Sequence, residues 1–249
     1  MRVLIFNQKG GVGKTTTAMN LGAALVRDGA GTVVLADLDP QTHLTAGLGY
    51  IGQEFDWTVA DWIAGTPGAP VPVEAEPGLS LIPGCTDAAP GERPAGQLDS
   101  CGADWLLIDA PPTWSPQLAA MMEQCDLVLC PLEPDFLGLQ GINRLMRSMQ
   151  EAALPWSRLR FVLNRVNQRL IVHREVRDRL VKRFGPDTVL PAVVHNSVQL
   201  AEAPGHGRTI FGHAPRSRGA ADYTRLARHL AALAAPAETL SATERSDAL

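Results

Sequence analysis

Lysine is nearly absent from this sequence. Lys9, Lys14 and Lys182 stand against nineteen arginines, and two of the three lysines fall in one glycine-rich stretch near the N-terminus. A compact ammonium fits among phosphate oxygens where a planar guanidinium is too wide, so lysine persists where its shape matters. No apolar run approaches the roughly 20 residues that a membrane-crossing helix needs. The four cysteines, Cys85, Cys101, Cys125 and Cys130, form no CxxC pair and no metal-ligand cluster. No secretory leader is expected, since the first apolar run is only Val3 to Phe6. Together these absences point to reduced thiols in a cytosol. Charged residues are also sparse, at 19%, and no repeat of 20–50 residues is visible.

What is present is enough apolar content, 45% of 249 residues, to bury a sizeable core. Gly 23 and Pro 19 indicate many turns and loop entries. The net charge of -4 hides an asymmetry: residues 1–125 carry 5 basic and 14 acidic side chains, residues 126–249 carry 17 and 12. A polyanion would meet the second half, although such halves also differ by chance.

Short β-branched runs alternate with helical periods. Arg2-Val-Leu-Ile-Phe6, Val33–Ala36, Leu79–Ile82, Trp105–Ile108, Leu127–Cys130, Phe161–Leu163 and a short Thr188–Leu190 read as strands. Residues 15–28, 115–124, 138–152, 171–184 and 219–234 read as helices, with a short one at Asp61-Trp62. Residues 64–78 and 84–103 read as connections. The expected fold is α/β, a mostly parallel twisted sheet with helices on both faces. Residues 1–235 are expected to form one domain and 236–249 a disordered polar tail. Asn7, Asp37, Asp109, Pro131 and Asn164 all fall at strand carboxyl ends, where such sheets place ligands.

The decisive string is Lys9-Gly-Gly-Val-Gly-Lys-Thr-Thr16, between a strand and a helix. Gly10, Gly11 and Gly13, with Val12 between them, let the backbone turn its N–H groups toward phosphate oxygens. The helix beginning here adds the positive end of its dipole. Lys14 is expected on the β- and γ-phosphates of ATP, the Thr15 hydroxyl on Mg²⁺, and Thr16 within the same cradle. An ordinary glycine-rich turn is the plainer reading, which both lysines and the threonine pair disfavour. The usual template wants glycine at Gln8, and Lys9 stands where no lysine is required. In this the sequence resembles the deviant Walker A ATPases, the family of ParA, Soj, MinD and the nitrogenase iron protein. The resemblance implies that Lys9 crosses to the nucleotide of a twin subunit, and that ATP holds a homodimer face to face.

Asp37-Leu-Asp-Pro-Gln41 follows the second strand, and alternation puts Asp37 and Asp39 on one side. In the family that it resembles, the second acid, here Asp39, orients the attacking water and the first, Asp37, lies near the metal. Two turn-capping aspartates would look the same. Trp105-Leu-Leu-Ile-Asp109 is an apolar strand ending in an acid, a Walker B arrangement that gives Asp109 to Mg²⁺. Asn164 matches a family position at the adenine, and equally a plain strand-end cap.

The resemblance runs from about residue 2 to 232. Leu200-Ala-Glu-Ala-Pro204, Gly205-His-Gly207 and Pro215-Arg-Ser-Arg-Gly219 with Tyr223 resemble the Soj/ParA branch. That branch implies ATPase activity that is slow without a partner, non-specific binding of nucleoid DNA, and a ParB-like or other adaptor on the cargo. Arg169, Arg216 and Arg218 are the expected DNA contacts, within a second half whose residues 165–183 carry seven cations. A solvated helix face with internal ion pairs explains part of that charge equally well. The family's I-P-R-N-V-R string is here Val194-His-Asn-Ser-Val-Gln199, with Asn196 and Gln199 in place of both arginines. A membrane partner is not expected, because the PAETLSATERSDAL ending lacks an apolar face. The nitrogenase-like reading fails for want of a cysteine within the few residues after Asp109, where 110–116 read Ala-Pro-Pro-Thr-Trp-Ser-Pro. A deviant P-loop ligase without DNA binding is the alternative function.

Overall fold

The computed structural model describes residues 1–86, 98 and 101–234. Eight strands form one sheet: β1 (Arg2–Ile5), β2 (Val33–Asp37), β3 (Val71–Pro72), β4 (Leu79–Ile82), β5 (Trp105–Asp109), β6 (Leu127–Leu132), β7 (Leu159–Val166) and β8 (Val189–His195). Their order is β3-β4-β2-β5-β1-β6-β7-β8. Every pairing is parallel except the short edge strand β3 on β4. The described helices are α1 (Lys14–Arg27), α2 (His43–Gly47), α3 (Val59–Ala64), α4 (Pro116–Gln124), α5 (Phe136–Glu151), α6 (Ile171–Phe184), α7 (Val198–Glu202), α8 (Ile210–His213) and α9 (Arg218–Ala234).

The central strands are almost continuously apolar up to their carboxyl-terminal acids, Asp37 of β2 and Asp109 of β5, because both sheet faces are covered. Val3 and Ile5 of β1 join one core with α1 and α9, while Leu4 and Phe6 join the other with α4, α5 and α6. Strands β2 and β5 divide in the same way, Leu35 and Leu107 to the first core, Ala36 and Ile108 to the second. Helix α1 lies close on its strands. A Cβ on Gly22 would stand 2.8 Å from Leu35 Cδ2 and 3.1 Å from Leu79 Cδ1, so any larger residue would require these core side chains to shift.

The expected α/β architecture with helices on both faces is observed. Strands β7 and β8 run longer than their apolar periods suggest, and Pro191 explains one case. It sits exposed within β8, an edge strand, where a missing N–H leaves no ladder bond unmade. The 64–78 connection contains β3, again with a proline at an edge. Helices α2, α7 and α8 are too short to show a period. Most of 84–103, and the tail expected over 236–249, lie outside the described residues. Among the described residues no helix is long and apolar enough to cross a membrane.

Candidate functional site

Strand order reverses around β1, and the carboxyl ends of β2, β5, β1, β6 and β7 form one rim. The loop leaving β1 is tied down at its start. Asn7 is buried; its Nδ2 donates to the Pro131 carbonyl at 2.8 Å and its Oδ1 accepts from the Lys9 N–H at 2.9 Å. Gly13 caps α1 with φ +90°, a left-handed conformation, and its Cβ position would meet Asn164 Nδ2 at 2.8 Å. Helix α1 has no side-chain cap and no acid in its first turn. Its free N–H groups and dipole therefore face an open concavity suited to an anion.

Acids surround the buried ammonium under this loop. Asp37 and Asp109 are register neighbours on β2 and β5, both fully buried. Asp37 is well provided for: Oδ2 accepts from the Thr45 N–H at 2.9 Å and its hydroxyl at 2.7 Å, and Oδ1 accepts from the Asp39 N–H at 3.3 Å. Asp109 is not. Neither of its oxygens has a well-formed hydrogen bond. Burial, with Asp37 adding to it, pushes Asp109 up to about 8, although the Thr15 hydroxyl and Lys14 pull it down. Lys14 is 7% exposed, and burial lowers its pKa against the pull of Asp109 and Asp39. Asp39 is half-buried in a turn, accepting from the Gln41 N–H at 3.0 Å.

An orphaned carboxylate beside a hydroxyl is a hard-oxygen set that fits Mg²⁺, with Asp37 behind it. Among the described residues no three acids, histidines or cysteines converge to hold a metal by themselves. A magnesium ion here would rest on phosphate oxygens together with Thr15 and Asp109.

Lys9 points away from this nest. Its Nζ lies 3.4 Å from both Glu133 and Asp135, and Glu133 also receives Arg165 at 2.7 Å. Large apolar side chains also stand exposed: Phe136 at 69%, Ile171 at 73% and Val198 at 72%. These occupy the first turns of α5, α6 and α7, all on the rim that carries the loop.

Beside the loop lies a cavity of about 460 Å³, lined among others by Gly13, Thr16, Asn164, His195, Leu200 and Tyr223. Asn164 Nδ2 donates to the Val12 carbonyl at 3.0 Å, while its buried Oδ1 has no partner. An acceptor waits there for a donor. Sequence reasoning collects Asn7 with the strand carboxyl ends of the site but gives no site role to His195, Tyr223, Thr45, Glu133 or Asp135. Only Asn7, at a strand end, carried a usable signal.

The arginines expected to meet DNA, Arg169, Arg216 and Arg218, are all exposed, and Arg218 also places a guanidinium nitrogen 2.7 Å from His195 Nε2. Helix α6 exposes Arg174, Arg177, Arg179, Lys182 and Arg183, and the one ion pair found within it is Arg179–Glu175 at 4.0 Å.

Comparison with known proteins agrees with this geometry. The profile of the CobQ/CobB/MinD/ParA nucleotide-binding domain matches residues 3–210. The chain is 36% identical to the chromosome-partitioning ATPase Soj of Thermus thermophilus, over 93% of this chain and 95% of that protein. It is 34% identical to the chromosome-partitioning protein ParA of Caulobacter vibrioides, covering 92% and 94%. Among solved structures, cobyrinic acid a,c-diamide synthase of Mycobacterium smegmatis with bound ADP and magnesium superposes with a TM-score of 0.72 at 26% identity, covering 92% and 93%.

Proposed function

The chain is a ParA/Soj-like member of the CobQ/CobB/MinD/ParA nucleotide-binding family, and we propose that it is an ATP-gated switch that partitions or positions a cargo on DNA. The observation that carries the reading is the unsatisfied Asp109 carboxylate next to buried Lys14 beneath an uncapped helix. This arrangement is costly unless a Mg²⁺–triphosphate completes it.

In this reading Gly10, Gly11, Val12 and Gly13 present backbone N–H groups to the phosphates, with Thr16 at the helix start. Lys14 contacts the β- and γ-phosphates of ATP, and Thr15 and Asp109 hold Mg²⁺, with Asp37 fixing the neighbouring backbone. A Mg²⁺ held by these residues would supply Lewis-acid neutralisation of phosphate charge. Asp39 orients the attacking water, because in-line transfer needs a positioned acceptor more than a strong base. Asn164 Oδ1 accepts from the exocyclic amine of adenine, a bond that guanine's carbonyl could not make.

Lys9, held by Glu133 and Asp135 in the single chain, is free to reach a twin subunit's nucleotide only after leaving them. The exposed Phe136, Ile171 and Val198 support burial of this rim in an ATP homodimer. Non-specific DNA binding falls to the exposed Arg169, Arg216 and Arg218 and to the α6 cations, since Asn196 and Gln199 offer no charge. A ParB-like or other adaptor protein on the cargo would stimulate hydrolysis, in the cytoplasm and on the nucleoid.

Calorimetry with Mg²⁺ and ATP, followed by light scattering and a DNA gel shift at two salt concentrations, tests the scheme. Magnesium-dependent uptake, an ATP-specific dimer and salt-sensitive DNA retention are expected. Uptake without any DNA retention would favour the ATP-dependent ligase reading.

A further inference from the structure

A buried polar cluster that hydrolysis does not use lies at the far end of the cavity. His195 ends β8 and is 6% exposed, and Asp222 of α9 is fully buried. Asp222 Oδ2 accepts from the His195 backbone N–H at 2.9 Å and lies 2.9 Å from its Nδ1. The other oxygen, Oδ1, accepts from Arg225. On the opposite side of the ring, Nε2 is 2.7 Å from Arg218 Nη2.

Ionised carboxylate only accepts, and guanidinium only donates. The ring between them therefore carries its proton on Nδ1 and offers a lone pair at Nε2, which is a neutral imidazole. One residue further along α9, Tyr223 lines the cavity beside His195, its hydroxyl 3.4 Å from Thr17 Oγ1. Thr17 in turn bonds the Gly13 carbonyl at 2.7 Å and Asn164 Nδ2 at 3.2 Å. Polar contacts thus reach from α9 to the phosphate loop along one wall.

We infer that Asp222 and Arg218 are positioning residues of the nucleotide pocket: they hold His195 as the neutral Nδ1–H tautomer, its ring closes the base end, and a second proton breaks that hold. The inference rests on reading this cavity as the place of the base. An imidazolium donates from both nitrogens, so its Nε2–H would face the Arg218 guanidinium, like charge against like. The charged groups around the ring are Asp222, Arg218 and Arg225 on α9, with Glu133, Arg165 and His173 across the cavity. Asp222 is fully buried and cannot leave; Arg218 is exposed and can. Its departure unfastens the first turn of α9 from β8, and the pocket loses a preformed wall. With the ring doubly protonated, nucleotide binding weakens.

The test titrates a fluorescent ADP analogue with Mg²⁺ into the full chain at pH 8 and pH 5.5. Wild type is compared with His195→Asn, whose amide donates to Asp222 and accepts from Arg218 but takes up no proton. The ratio of Kd at the two pH values is expected to be about three- to tenfold larger for wild type than for the variant. Phosphate titration is common to both and cancels. Long-range ¹⁵N–¹H spectra of the ring should show Nδ1 protonated and Nε2 as acceptor at pH 8, a pattern lost in Asp222→Asn. Equal pH ratios, or a proton on Nε2 at pH 8, would overturn the inference. If wild type binds no nucleotide at either pH, the base-pocket reading itself falls, and this inference with it.

Discussion

The two ends of the site are built on opposite principles. At the phosphate end, groups are left wanting: Asp109 has no well-formed hydrogen bond, Lys14 is buried, and α1 begins uncapped. At the base end most groups are satisfied, His195 between Asp222 and Arg218, Thr17 between Gly13 and Asn164, while the Asn164 Oδ1 acceptor is left open. One end stores electrostatic cost that a ligand relieves; the other is a preformed wall. A stable fold tolerates the first because it is small and rimmed by the second.

The sharpest way to break this contrast is Lys14→Met. Transition-state stabilisation at the phosphates is expected to vanish, with kcat down at least about 10³-fold. Yet the apo protein should melt no lower than wild type, since the variant removes a desolvated charge. A clearly lower melting temperature would mean that Lys14 supports the fold. Next in size is the pH dependence of apo stability. Asp109 has a folded pKa raised to about 8, so between pH 4 and 8 the native state binds more protons than the unfolded chain. Stability therefore falls as pH rises through that window, on the order of 3 kcal/mol, and the buried Asp37, also raised, adds in the same direction. Chemical denaturation at pH 5 and pH 8 measures it. Asp109→Asn should flatten most of the slope, and Mg²⁺ with ATP should restore wild-type stability at pH 8 but leave the variant unmoved.

The sequence made the phosphate end legible because its groups lie in contiguous strings. Lys9 to Thr16, Asp37 to Gln41 and Trp105 to Asp109 each form a strand end and the turn that follows it, and local backbone geometry alone points them to one rim. The base end was illegible for the converse reason. His195 and Asp222 are 27 residues apart and Thr17 and Tyr223 are 206 apart; only the packing of α9 on α1 and β8 joins them. Arg218 is exposed, as a surface arginine should be, but its contact with His195 is invisible in a string. Strands β7 and β8 were cut short because Pro191 and the polar Asn164 interrupt an apolar run without interrupting the ladder.

Lys9 lies between the two ends and distinguishes them in a third way, because its charge is already paired within its own chain. Lys9→Ala should abolish the ATP-dependent dimer, read by size-exclusion chromatography with light scattering, while monomer affinity for ATP changes by less than about threefold. Glu133→Gln should shift the dimer midpoint to roughly three- to tenfold lower protein concentration, because a partly exposed ion pair of order 1 kcal/mol no longer holds the ammonium back. An unchanged midpoint would mean that Glu133 does not restrain Lys9.

The smallest expected effect is the most discriminating for the preformed wall. Tyr223 is fully buried, its hydroxyl 3.4 Å from Thr17 Oγ1. That is a long contact, so Tyr223→Phe should cost about 0.5 kcal/mol of stability at most. Thr17 would keep its bond to the Gly13 carbonyl and its contact with Asn164, so the loop should hold its shape and nucleotide affinity should stay within about twofold. Thr17→Val removes all three side-chain contacts at once, leaving the Gly13 carbonyl with the residue-17 backbone N–H alone and the Asn164 amide with the Val12 carbonyl alone. A loss there of about 2 kcal/mol in nucleotide binding, with Tyr223→Phe nearly silent, would locate the wall's rigidity in Thr17 rather than in the tyrosine that packs over it.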